Sequence, residues 1–402
     1  MRNVVYVAPF PLETTLRFSR ALGALDGVRL LGIFQEPPPK DSGFHDVVQI
    51  KDGLSAGQIA EAADVLRRRH GPLHRITGVL EDLQEQLAAV RAAFGVPGLM
   101  PDAAERFRDK ARMKDALRAA GLPCARHKAL LSEQDGLDFA RQVGLPIVLK
   151  PLDGAGCRAT WRIENEGDLR SALASMRPRP DRPVQAEEFI VGDEHSFETI
   201  TLSGSPKFYS ISRYSPTPLE VVRNPWIQWV CMLPRDISGP EYTAARQVGL
   251  KAVEALGMAS GFTHMEWFRR PDGSVAIGEI AARPPGANIV RLTSLAYDTD
   301  MYRAWARAVV DEAYDGPWER RYATGCAFLR GAGQGRVVAV DGLDEAQAKV
   351  GQWVVDAKLP TPGRPKRDTY EGDGYAIVRH PDTEVVRHAL KVIIETVRVR
   401  YA

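Results

Sequence analysis

Over the first hundred residues the apolar positions change period repeatedly. The runs NVVYVA, VRLLGIF, DVVQI and HRITGVL are short, rich in β-branched residues and bounded by polar or turn-forming residues. Between them LETTLRFSRALGAL and SAGQIAEAADVLRRR repeat apolar residues every three to four positions, which is the period of an amphipathic helix. Strand alternating with helix predicts right-handed βαβ units on a parallel sheet, a Rossmann-like layout. The turn after the first run reads APFPLE and lacks G-x-G-x-x-G, so no dinucleotide site is expected there.

Beyond this region the pattern predicts one helix over roughly 103–120, stopped by Gly121 and Pro123. LPIVLKPLDGAGCRAT follows as a buried strand feeding a glycine-containing loop. DLRSALASM reads as a short helix, PRPDRP as a break, and VQAEEFI as another strand. A region of about 195–282 alternates as antiparallel strands do. Within it THMEWFRRPDGSVAIGEIAAR has two alternating runs around PDG, the signature of a hairpin. A turn centred near Asp272 and Gly273 places Glu266 opposite Glu279 and His264 opposite Ala281. Near 320 the composition shifts: GCAFLRGAGQGRVVAV reads as a hairpin and PDTEVVRHALKVIIETVRV as a closing amphipathic helix.

The chain has 402 residues, too many for one compact core, so two or three domains are expected. Its 53 basic and 51 acidic side chains nearly cancel, unlike the basic footprint of a general nucleic-acid binder. The four cysteines, Cys124, Cys157, Cys231 and Cys326, form no CxxC pair, which argues for a reducing compartment and against a structural zinc site. No apolar run approaches the roughly 18 residues of a membrane span. A soluble cytoplasmic protein without membrane or nucleic-acid partners is the expectation.

Two carboxylates opposite each other on adjacent strands repel at about 5 Å between Cβ atoms, and a cation between them relieves the repulsion. Oxygen ligands on rigid strands suit magnesium; an exposed sheet face with scattered acids is the plain alternative. Lys150 ends an apolar strand just before DGAGC, where a lysine and backbone amides can reach a phosphate. Lys110 and Lys114 lie one helical turn apart, and Lys114 is read as part of a solvated face. In EEFIVGDEHSFETI, Glu187 to Ile200, the order acidic, apolar, turn, acidic suits a connector that binds a flat base and ribose hydroxyls, although a two-strand corner has the same appearance.

Taken in order, FGVPGLMPDAAERFRDKARMKDALRAAGLPCAR, LPIVLKPLDGAG, EEFIVGDEHSFE, HMEWF and GEIAARPPG resemble the ATP-grasp superfamily, in its biotin-carboxylase-like branch that contains amino-acid ligases. The resemblance covers nearly the whole chain. It implies an α/β and α+β multidomain fold: a Rossmann-like N-terminal domain over 1–100, ATP-grasp central domains over 101–318 with a mobile lid at about 123–186, and a small C-terminal α+β domain over 319–402. It implies ATP and Mg²⁺ as cofactors, small-molecule carboxylate and amine substrates, and a homodimer. Lys110 and Lys150 match the phosphate-holding lysines, and Asp153, Gly154 and Gly156 belong to the loop that closes over the phosphates. Glu187, Glu188, Phe189 and Ile190 match the adenine hinge, and Glu194 the ribose-binding acid. Glu266 and Glu279 match the magnesium carboxylates, and Arg283 the arginine that stabilises an acyl phosphate and the tetrahedral species after it, a catalytic role shared with Lys150.

One position departs from the family's E-x-N-x-R pattern: Ala281 stands where the asparagine ligand is usual. Water, the facing His264, or Asn288 folding back could replace it, with water favoured because magnesium retains it readily. His264 is then freer to contact substrate. The segment Ser212 to Arg235 is rich in aromatics, prolines and arginines. Trp226 and Trp229 are candidates to pack on a substrate, Arg213 or Arg223 to pair with its carboxylate, and Arg291 is a second candidate for that carboxylate; a surface loop with core tryptophans is the plain alternative. The implied reaction is ATP-dependent amide or peptide bond formation through an acyl phosphate, giving ADP and phosphate. A bicarbonate-using carboxylase and a non-catalytic nucleotide-binding module are the rivals.

Overall fold

The computed structural model describes residues 1–151, 161–367 and 369–402. The N-terminal strands form a four-stranded sheet in the order Asp46–Gln49, Val28–Phe34, Arg2–Ala8, Leu73–Thr77, every pair parallel. Helices Ala56–His70 and Gln84–Phe94 bury Ile59, Leu66 and Leu87 against one face, and Glu13–Gly23 covers the other. The strands are nearly all apolar because both faces are covered, which is the reason parallel strands lack alternation.

The helix predicted over 103–120 is two helices, Pro101–Arg108 and Lys110–Ala119. Asp109 leaves the helical region (φ −79°, ψ 112°), and its carboxylate accepts from the Ala111 and Arg112 amides. A short acidic side chain able to cap competes with helix continuation, and the break turns Lys110 and Lys114 toward the central sheet.

That sheet has eight antiparallel strands in the order Val275–Ala281, Gly261–Arg269, Asp193–Leu202, Ser205–Ser215, Trp229–Leu233, Ala323–Leu329, Gly374–His380, Val354–Lys358. Alternation divides it into two faces. Phe197, Ile211, Met265 and Trp267 pack under helices Lys110–Ala119 and Pro240–Leu256, while Ile200, Trp229, Phe262 and Phe328 pack with Ile289–Tyr297 and Met301–Val310. A smaller sheet, His127–Leu130, Val184–Glu188, Ile147–Pro151, Trp161–Ile163, stands over one edge of it. Helices Glu133–Val143 and Glu166–Met176 bury Phe139, Leu169 and Leu173 on that small sheet.

The hairpin expected in GCAFLRGAGQGRVVAV does not form. Ala323–Leu329 extends the central sheet, and Val337–Asp341 pairs with Arg398–Tyr401 instead. The glycines between them serve close approach: a Cβ on Gly331 would lie 2.1 Å from the Val399 carbonyl oxygen. Among the described residues no helix is long and apolar enough to cross a membrane.

Candidate active site

The PDG hairpin forms with the predicted register at its open end: Glu266 faces Glu279 and His264 faces Ala281. Nearer the turn the register shifts by one residue, with Trp267 opposite Ile277. This bulge falls at Gly278, where a Cβ would lie 3.1 Å from the Phe268 ring and 3.2 Å from the Glu266 carbonyl oxygen. A bulge changes the phase of a strand, so Glu279 and Ala281 share the face of His264 and Glu266. On the neighbouring strand, Glu194, Ser196 and Glu198 pair with Phe268, Glu266 and His264, and period-two alternation aligns them on the same face.

Three lysines converge on this row. Lys150 Nζ lies 2.8 Å and Lys114 Nζ 3.3 Å from Glu187 Oε2. Lys114 also donates to the Gly278 carbonyl oxygen at 2.9 Å, an acceptor that the bulge turns out of the ladder. Lys110 Nζ lies 3.6 Å from Glu279 Oε2. Lys114 is fully buried, which corrects its reading as a solvated residue. The missed signal is spacing: Lys110, Met113, Lys114 and Leu117 are the buried positions of their helix, the i, i+3, i+4, i+7 stripe. Glu187, matched to the adenine hinge, lines the larger cavity with its neighbours and turns its carboxylate to the lysines. Its other oxygen, Oε1, is buried without a hydrogen-bond partner among the described residues.

The carboxylates of Glu266 and Glu279 titrate apart. Burial and the facing Glu279 push Glu266 up to about 7. Burial also disfavours charge on Glu279, but Lys110, Lys150 and Arg283 outweigh it and hold that carboxyl at about 2. Burial, then the charges of Glu266 and Glu279, drive Glu194 well above the usual carboxylate range. Such divergence in one cleft is typical of functional carboxylates.

Two cavities meet at the pair. The larger, about 370 Å³, runs beneath the small sheet and is lined by Lys110, Lys150, Glu187 to Gly192, Glu194, Glu266 and Glu279. Glu188 is tied there to Arg126 and Arg270, and Arg162 sits 4.1 Å over the Phe189 ring. The smaller, about 70 Å³, has Tyr214, Trp229, Ile289 and Tyr370 as its apolar wall and His264, Glu266, Glu279 and Arg283 as its polar one. Arg283 donates from Nε and Nη2 to Glu81 Oε2 at 3.0 and 2.8 Å. His264 Nδ1 is 3.0 Å from Glu198 Oε1, and its Nε2 is 3.9 Å from Glu266 Oε1. Glu81, Glu198 and Tyr370 were not anticipated. Glu198 shares the alternation of Glu194, but Glu81 and Tyr370 arrive from distant segments and leave no local trace.

Not every predicted residue gathers here. Trp226 is 54% exposed and lines neither cavity, because it follows the short helix Pro218–Arg223 at the surface, whereas Trp229 is buried and donates to the Tyr370 carbonyl oxygen at 2.7 Å. Arg213 shares the face of Ile211 while Tyr214 lines the small cavity, so strand alternation directs Arg213 to the other side of the sheet. Arg291 is half exposed and pairs with Asp356 at 3.6 Å, outside both cavities. Asn288 donates to Cys326 Sγ and does not fold back toward the carboxylates. Asp153, Gly154 and Gly156 lie outside the described residues.

Residues 115–294 match the model of the ATP-grasp domain. The chain is 24% identical over 271 residues to an L-arginine-specific L-amino acid ligase of Bacillus subtilis, covering 66% of this chain and 65% of that relative, just under two thirds of its length. Its fold is shared with the crystal structure of L-amino acid ligase from Bacillus licheniformis (TM-score 0.82, 18% identity, 100% of this chain and 99% of that one). It is also shared with N5-carboxyaminoimidazole ribonucleotide synthetase from Thermotoga maritima (TM-score 0.74, 19% identity, both chains covered fully).

Proposed function

The chain carries an ATP-grasp domain, and we propose that it is an ATP-dependent ligase that joins a carboxylate to an amine, with an amino acid among its substrates. The observation that carries this reading is the meeting of two cavities at one pair of opposed carboxylates. The larger has lysines and a flat apolar slot suited to a nucleotide, and the smaller has an arginine and aromatic walls suited to a small acid. Similarity to an L-amino acid ligase supports the amino-acid substrate.

In this reading the acid attacks the γ-phosphorus of ATP, ADP leaves, and an acyl phosphate forms. The amine then attacks the acyl carbon, phosphate leaves with the bonding pair, and the amide nitrogen loses its proton to solvent. Phosphoryl transfer requires positioning and charge neutralisation more than covalent help. Lys110 and Lys150 supply the charge, with Glu187 and Lys114 holding Lys150 in place. Glu188 to Ile190 and Glu194 lie where base and ribose would fit. Arg283, fixed by Glu81, faces the acid and the oxyanion that develops from it.

The opposed carboxylates fit magnesium. About a quarter of each side chain is exposed, at 23% and 29%, and their mutual repulsion is what a cation relieves. Among the described residues no third acid, histidine or cysteine joins them as a metal cluster, so Glu266 and Glu279 would hold one ion whose other positions fall to water and phosphate. When bound, that ion would neutralise charge on the transferring phosphoryl group.

A pH dependence follows. Glu266 in the metal-free protein holds its proton up to about 7, above the value of an unfolded glutamate. The native state then binds more protons in that window and loses stability as pH rises through it. Mg²⁺ competes with this proton, so its stabilisation of the protein, measured as a melting shift against EDTA, should grow from about pH 6 to about pH 8. A shift independent of pH would place the ion elsewhere.

The direct test is phosphate release across amino acids, singly and in pairs, with mass spectrometry of the products and a bicarbonate arm. Stimulation by a pair and a product of their summed mass less water supports the ligase; dependence on bicarbonate would replace it with a carboxylase. Trp226→Ala should leave turnover within about twofold, as is usual for a surface side chain remote from the chemistry. A loss beyond tenfold would return Trp226 to the substrate site.

A further inference from the structure

Arg283 is also the wall of another cavity, of about 70 Å³, between the C-terminal end of the N-terminal parallel sheet and the edge of the central one. It shares no other residue with the small substrate cavity. Its polar lining includes Arg75, Arg91 and Arg283 against a single carboxylate, Glu312. Glu312 is engaged by Arg75 at 3.3 Å, and Arg283 by Glu81.

Arg91 differs from both. It is 5% exposed, and Nε and Nη1 donate to the carbonyl oxygens of Leu99 and Ile76 at 3.1 and 3.0 Å. Nη2 is buried with no acceptor among the described residues. Burial pulls the side chain down to about 10, with no carboxylate among the described residues opposing it, so it remains a cation at neutral pH. The loop beside it is shaped to hold it: Gly98 has φ +148°, and a Cβ there would lie 2.8 Å from Arg91 Cδ. A buried cation is ordinarily paired, and guanidinium matches the geometry of carboxylates and phosphates.

We propose that this cavity binds a small oxyanion, a carboxylate or an inorganic ion of phosphate or bicarbonate type, through Arg91 Nη2. The volume admits such a group and excludes a nucleotide. Arg75 is offset by Glu312 and Arg283 by Glu81, which leaves the Arg91 guanidinium, opposed by no carboxylate among the described residues, to make the interior positive. The inference does not depend on the reaction assigned above. The anion has two sources, a free inorganic ion or the carboxylate of an amino acid, and they share this chemistry.

The test uses the full chain with magnesium and a non-hydrolysable ATP analogue filling the larger cavity. Phosphate, bicarbonate, acetate and L-alanine are titrated separately by calorimetry. At least one should bind the wild type and bind Arg91→Gln at least tenfold more weakly. Saturation by phosphate or bicarbonate alone identifies an inorganic ion, and by acetate or alanine alone a carboxylate. If Arg91→Gln does not fold, wild-type crystals soaked in selenate provide the second measurement, with an anomalous peak expected within hydrogen-bond distance of Nη2. No binding to the wild type, equal binding to Arg91→Gln, or water alone at Nη2 would overturn the proposal.

Discussion

Glu279→Gln should lower turnover by about a thousandfold, on the scale of losing a principal electrostatic group in a catalytic site, while the fold stays intact. Glutamine keeps the shape of the side chain and removes its charge. That charge now lies among Lys110, Lys150 and Arg283 and opposite Glu266. Two consequences should accompany the loss. The pKa of Glu266 should fall, since Glu279 is its main charged perturber after burial. The pH dependence of Mg²⁺ stabilisation should therefore flatten. Phosphate release and Mg²⁺-dependent nucleotide binding, measured on the same preparation, check both. Retained turnover would show that the metal lies elsewhere, and loss of turnover with unfolding would be uninformative about chemistry, which is why Glu279→Asp, expected to keep partial activity, belongs in the same series.

The hairpin was legible because its information is local. PDG fixes the turn, alternation fixes the face, and together they bring Glu266 opposite Glu279 from sequence alone. Gly278 was legible only as a glycine in a strand, and its bulge keeps Glu279 on the active face while the turn half shifts register. The parallel N-terminal sheet followed from its change of period. The supposed hairpin near 330 failed for a different reason: its glycine run looks like a turn, but it serves close approach to the C-terminal strand, a contact between distant segments. Arg213 and Trp226 failed because enrichment in a segment does not say which side chain faces inward. Tyr214, Pro218, Val222 and Trp229, in the same segment, line the smaller cavity, and Arg223 lines the larger one.

Lys114→Met should destabilise the protein by about 3 kcal/mol, the lower end of the cost of breaking a buried ion pair by removing one partner. Methionine fills a similar volume, so the loss is electrostatic more than steric. Lys114 has no exposed surface, and burial lowers its pKa against the attraction of Glu187. Glu187 is nearly as buried, and its carboxyl is held below the usual range by Lys114 and Lys150 in spite of that burial. Its Oε1 already lacks a partner among the described residues. With Lys114 gone, Lys150 alone faces that carboxylate, and Gly278 loses its donor at the bulge. The change should therefore appear twice: as a fall of several degrees in melting temperature, and as weaker nucleotide binding, because Lys150 is drawn toward Glu187 and away from the larger cavity. The sign with pH is fixed by Glu187. Its folded pKa is depressed, so its contribution is present above the unfolded value and lost as pH falls through the folded one, and the gap between wild type and Lys114→Met should narrow in acid. Adding Glu187→Gln to Lys114→Met should recover part of the loss, since the buried charge left behind is then removed. A melting temperature unchanged by Lys114→Met would mean that Lys150 alone satisfies Glu187, and that the buried stripe of this helix is packing without charge coupling.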